Sequence, residues 1–152
     1  MARFRTTGID ELIDRMKELG ELTGEIADEM LLAGAEEVKL SWKEAINLHG
    51  LKLTGQLIDS IGFPRKPASI NGIRQIDIYP QGYSTFTESP DGKRINRKKR
   101  VRNAAIAFIN HYGTSKIKPT HFVDTADSLS EKRVYDRMSK IWAEALKEKG
   151  LT

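Results

Sequence analysis

The sequence predicts an α+β domain in which a small antiparallel β-sheet packs against a long helix and a C-terminal helix. Three observations carry that expectation. Helical periodicity runs unbroken from Thr23 to about His49, short alternating runs punctuated by Gly, Pro and Asn fill the middle, and helical spacing returns from Asn103 onward.

The first element expected is a short amphipathic helix, because Ile9, Leu12, Ile13, Met16 and Leu19 recur at helical spacing between Gly8 and Gly20. The long helix follows. The Thr23 hydroxyl can cap its first turn, and Gly50 lies just past its end. Its buried stripe is expected to be Ala27, Leu31, Ala35, Val38, Trp42 and Ala45, widened by Ile26, Met30 and Ile46 into contact on more than one side. Thr54 and Gly55 then form a turn, and a short helix spans Gln56 to Ser60.

Pro64, Pro67 and the Asn71-Gly72 pair mark the change to strands, since Asn-Gly flanked by apolar residues favours a hairpin turn. Alternation from Arg74 to Tyr79 predicts a strand with one buried face, and 83–87 is a second, weaker strand. Residues 89–102 are expected to form an exposed hairpin arm or loop. From Asn103 a helix should place Ala104, Ala107, Phe108 and Tyr112 on one face and end at Gly113, although AAIAFIN is also short and apolar enough for a strand. Ser128 and Glu131 have capping-box spacing and should open the last helix, with Val134, Met138, Ile141, Trp142 and Ala145 on its inner side. No repeat or low-complexity tract interrupts this order, so residues 1–152 are expected to form a single domain.

At 152 residues, 39% hydrophobic and 30% charged, the composition is that of a globular protein rather than a disordered or membrane one. No apolar run approaches the roughly 20 residues of a membrane span, and acidic residues break the N-terminal stretch where a signal peptide would be apolar. The protein is therefore expected to stay in the compartment where it is made, without a membrane association. Cysteine is absent, which removes disulfides and thiolate metal sites from consideration.

Charge is concentrated in one place. Lys93, Arg94, Arg97, Lys98, Lys99, Arg100 and Arg102 lie within ten residues that hold no acid; taking these seven from the chain's 25 basic residues leaves 18 against 21 acidic. The remainder is slightly acidic. Three readings fit the segment: a solvated loop, a sequence-independent contact with DNA phosphates, or a dock for an acidic face of another protein or a neighbouring copy. Ile95 and Val101 are its only apolar residues and no aromatic is interleaved, which argues against a base-stacking surface.

Catalytic patterns are thin. His49 near a helix end is explained by the helix dipole. His111 and His121, with Asp124, have the residue types of a divalent-metal site, but no spacing rule fixes their geometry, so no metal or cofactor is expected. Glu36 and Glu37 diverge, Asp10 with Asp14 and Glu25 with Glu29 are solvated pairs, and neither GxGxxG nor a P-loop occurs. Trp42 and Trp142 occupy core-like positions. The chain is expected not to be an enzyme.

Two longer stretches carry a resemblance. LTGQLIDSI at 53–61, with Thr54, Gly55, Leu57 and Ser60, is similar to a Thr-Gly-x-Leu-x-x-Ser-Ile element that follows a long helix in tail-completion, or head-tail joining, proteins of siphophages and related prophages. FINHYGTSKIKPTHFVDTA at 108–126, with Tyr112, Gly113, Thr114 and Phe122, resembles that family's aromatic-Gly-Thr turn and the aromatic that begins its final helix. GIDELIDRMKEL at 8–19 is similar to the family's opening.

This resemblance implies a structural protein of the virion neck. It would be made in the host bacterial cytoplasm and would assemble as a homo-oligomeric ring, such as a hexamer, between head-closure and tail-terminator or tail-tube proteins. Rings need two complementary faces on one subunit, and the basic segment is a candidate for one of them, with channel DNA as another possible contact. A small accessory nucleic-acid-binding protein acting through residues 93–102 is the alternative. The motif residues themselves suit structural work: glycines for sharp turns, threonines for loop amides, and Phe122 to pin the last helix.

Overall fold

A computed structural model describes residues 23–51, 55–88 and 91–148. The fold is α+β. Helix α1 spans Thr23–Leu48, α2 Gln56–Ser60, α3 Asn103–Tyr112 and α4 Phe122–Glu148. Between α2 and α3 lie six strands, β1 Ile61–Gly62, β2 Ala68–Ile70, β3 Ile73–Gln75, β4 Tyr79–Pro80, β5 Tyr83–Glu88 and β6 Arg94–Arg102. The N-terminal helix expected over 9–19 and the residue Thr54 lie outside the described residues.

The two long helices, each about 40 Å at 1.5 Å per residue, pack against one another along most of their length and build the core. Helix α1 buries Met30, Ala35, Val38, Trp42, Ala45 and Ile46; α4 answers with Phe122, Ala126, Val134 and Met138. Of the stripe expected on α1, Ala27 and Leu31 are only partly buried, while Met30 and Ile46 belong to its centre. Close approach is possible because residue 34 is glycine: a Cβ there would sit 3.3 Å from both Met138 Sδ and Val134 Cγ1. Trp42 meets Phe122 edge-on, with ring centroids 5.7 Å apart. Leu57, Ile61, Ile78 and Ala107 extend the same cluster beneath the strands and α3.

The strands form three separate two-stranded antiparallel ladders, β1 with β4, β2 with β3 and β5 with β6. The β2–β3 hairpin turns at Asn71 and Gly72, whose φ values of 53° and 77° are the left-handed pair a tight primed turn needs. Arg74 pins this hairpin to the start of α1 through Asp28 and the Gly24 carbonyl.

Three local expectations need correction. The strand expected from Arg74 to Tyr79 leaves its ladder after Gln75, and pairing resumes at Tyr79 with a different partner. Ile76 and Ile78 still turn toward the core, so their alternation reports burial rather than strand pairing. Helix α3 buries Asn103, Ala107 and His111, whereas Phe108 and Tyr112, expected on the inner face, are 62% and 59% exposed. Asn103 sets that rotation: its backbone N–H donates to the Gly82 carbonyl and its side-chain amide to the Gln81 carbonyl at 2.9 Å.

The last helix begins at Phe122 rather than at a Ser128 cap. Burial of Phe122 and Ala126 draws this turn into the helix, and the Ser128 hydroxyl donates backward to the Asp124 carbonyl at 3.0 Å, an interior i to i−4 bond.

Candidate interaction surface and histidine cluster

The basic segment is the second strand of a hairpin, and its register shows how its charge is presented. Tyr83 faces Arg102 and Ser84 faces Val101; on the other side of an irregularity, Phe86 faces Asn96, Thr87 faces Ile95 and Glu88 faces Arg94. Thr85 alone therefore lies opposite Arg97, Lys98, Lys99 and Arg100, so β6 carries three more residues than β5 across this interval. The result is an enlarged bulge in β6, and the four residues opposite Thr85 are all cationic. Lys98, Lys99 and Arg100 are exposed, as are Arg94 and Arg102 beyond the bulge, and Lys93 lies just before β6. Arg97 is half-buried, and its Nε donates to the Phe86 carbonyl. The Arg94 guanidinium lies 4.5 Å from the centre of the Phe86 ring.

Gln56, in the first turn of α2, holds the hairpin opposite this bulge. Its Oε1 accepts the Ser84 hydroxyl at 2.6 Å and the Phe86 amide at 3.4 Å, and its Nε2 donates to Thr85 Oγ1 at 3.2 Å. One side chain thus satisfies groups on three consecutive residues of β5, where the ladder is broken. The glycine before it, Gly55, has φ 78°. Leu57 is buried, and Ser60 Oγ donates to the Leu57 carbonyl at 2.6 Å. The Gly-Gln-Leu stretch therefore connects the core to the base of the basic hairpin, with Leu57 facing one and Gln56 the other.

The second motif is a rigid turn joining α3 to α4. Gly113 has φ 75° and ψ −178°, a region essentially closed to other residues, and a Cβ on it would lie 2.6 Å from the Ile117 carbonyl oxygen. Thr114 Oγ1 accepts the amides of Lys116 and Ile117, and the Thr114 amide donates to the Ile117 carbonyl. Thr120 closes the loop by donating from both its amide and hydroxyl to the Asn110 carbonyl. Phe122 is fully buried. Tyr112 packs on the outside of α3 against Phe108, ring centroids 4.7 Å apart.

All three histidines gather at the start of α4. His49 reaches Thr125 Oγ1 through Nε2 at 2.8 Å. His111 is buried, accepts the Val123 amide on Nδ1 at 3.4 Å, and lies 5.2 Å from the His121 ring, centroid to centroid. Burial lowers the His111 pKa from its ordinary value, against the raising effect of the Asp124 charge; His121 adds a smaller lowering. The sequence offered no rule for this geometry, because the three positions meet only once α3, the Gly113 turn and α4 are in place.

Gln56 and the length of the bulge were also missed. Gln56 occupies the variable position of its motif, and charge alone does not announce a register shift. Among the described residues no helix is long and apolar enough to cross a membrane. In comparisons with known proteins, no family model matches the chain, and neither a curated protein nor a solved structure is significantly similar to it.

Proposed function

We propose that this chain is a structural protein of a bacteriophage neck, which completes the tail and joins it to the head by assembling as a ring whose subunits dock through the basic hairpin. The observation that carries this reading is the bulge of Arg97, Lys98, Lys99 and Arg100, displayed on a hairpin whose base is held by Gln56 and Asn103. A flexible solvated loop needs no such anchoring. The geometry suits electrostatic docking, where pre-ordered charge sets orientation and suppresses wrong partners.

The same molecule carries the opposite sign elsewhere. Over residues 23–38, α1 holds Glu25, Asp28, Glu29, Glu36 and Glu37 and no basic residue. Asp28 is paired with Arg74 and Glu36 with Lys39, while Glu25 and Glu29 are exposed. A head-to-tail ring requires two different, mutually complementary faces on each subunit; Glu25 and Glu29, which share their groove with Arg65, Lys66, Arg137 and Lys140, are the acidic candidates for the second. Exposed Phe108 and Tyr112 lie on α3, which follows β6 without a loop, and add the aromatic surface that protein interfaces favour. The resemblance of residues 53–61 and 108–126 to neck proteins supports the same reading, since both stretches do structural work here.

The test is electron microscopy of lysates from phage lacking the gene. DNA-filled heads and separate tails should accumulate, and added purified protein should restore joined particles. Normal virions, or heads that never fill, would reject the neck role. Steeply salt-dependent binding of DNA by the isolated protein would then favour an accessory nucleic-acid-binding protein instead.

A further inference from the structure

We propose that His111, His121 and Asp124 form a binding site for a divalent transition-metal ion, with zinc the chemistry they fit best, at the joint between α3 and α4. One ligand atom from each residue lies within 4.8 Å of the other two. Two imidazoles and a carboxylate form a zinc ligand set that leaves a fourth position for water or for a group from a partner. Ligand atoms around tetrahedral zinc are about 3.4 Å apart, given metal-ligand bonds of about 2.0–2.1 Å. His121 and Asp124 are the exposed members, and their side chains have the freedom to close the remaining distance around the fixed His111.

The backbone holds the three residues in place independently of any ion. The His121 amide donates to the His111 carbonyl at 3.1 Å, and the Asp124 amide donates to the His121 carbonyl at 3.0 Å. Edge-on contact with Phe122, ring centroids 5.9 Å apart, also positions His111, which would exchange the long 3.4 Å bond its Nδ1 accepts from the Val123 amide for the ion, since accepting there leaves Nε2 protonated.

His121 has φ 52°, one of two non-glycine residues with positive φ among those described. The other, Asn71, takes it in a hairpin turn; His121, also a residue type enriched there, takes it immediately before α4. Its left-handed backbone begins α4 and brings its ring to His111, with Nδ1 3.8 Å from Asp124 Oδ2. A helix N-terminus repels a cation, and the Asp124 carboxylate in the first turn supplies the compensating negative charge. Bound there, the ion would tie the end of α3 to the start of α4 and fix the Gly113 turn between them.

The test uses the full chain, stripped with chelator and titrated with zinc by calorimetry and with cobalt by visible absorption. One equivalent of zinc should bind, cobalt should give the ligand-field bands of a low-coordinate nitrogen and oxygen site, and zinc should raise the melting temperature. His121→Asn, a residue compatible with positive φ, and Asp124→Asn should each weaken zinc at least about tenfold, while His49→Gln should leave the affinity unchanged. Absence of saturable one-to-one binding would overturn the site, as would equal affinity in the His121→Asn and Asp124→Asn proteins. Circular dichroism of the metal-free variants checks that they fold, so that a weaker affinity reports lost ligands.

Discussion

At the scale of single residues, the sharpest consequences come from groups whose chemistry and surroundings disagree. The Ser41 hydroxyl is fully buried in α1 and has no hydrogen-bond partner among the described residues. Removing a buried, unsatisfied hydroxyl relieves a desolvation cost of about 1 kcal/mol or more, so Ser41→Ala should raise the melting temperature by about 2–4 °C. Thermal unfolding followed by circular dichroism checks the sign, and an unchanged or lower midpoint contradicts it. Gly113 presents the opposite case. Any side chain there meets both a glycine-only backbone conformation and the Ile117 carbonyl, so Gly113→Ala should cost about 3 kcal/mol or more in urea unfolding. Gly113 was readable from the sequence because glycine after an apolar helix has few other uses. Ser41 was not, since a serine on a helix reads the same whether solvent or a packed helix covers it.

At the scale of elements, the hairpin is the unit on which the functional reading depends, and Gln56 is what steadies it. Gln56→Ala should leave the helical core intact while raising amide exchange along β5, most of all at Phe86, whose N–H loses its acceptor. Hydrogen exchange with mass spectrometry reads this directly; unchanged exchange over 83–88 would mean that the ladder alone fixes the hairpin. Long elements were legible, because α1 and α4 each repeat one apolar stripe over seven turns or more and local errors average out. Short ones were not. Helix α3 has fewer than three turns, so the polar anchor Asn103 outweighed the apolar pattern in choosing its buried face. The capping-box spacing at Ser128 misled because the pattern is local, whereas burial of Phe122 is a tertiary effect.

At the scale of the molecule, a helical platform with an acidic stretch on α1 displays a cationic bulge on an anchored hairpin. The sequence showed that basic residues cluster, but composition does not distinguish a loose arm from an ordered one; the anchor, Gln56, grips the partner strand from 30 residues before Phe86 in the chain. The central proposal is that this bulge docks one subunit onto the next. The most direct measurement is complementation of the gene-deficient phage by Arg97→Glu, Lys98→Glu, Lys99→Glu and Arg100→Glu together, alone and combined with Glu25→Lys and Glu29→Lys. The bulge variant should fold but leave heads and tails separate, and the combined charge swap should restore joined particles at least in part. Wild-type yields of joined virions from the bulge variant would contradict it.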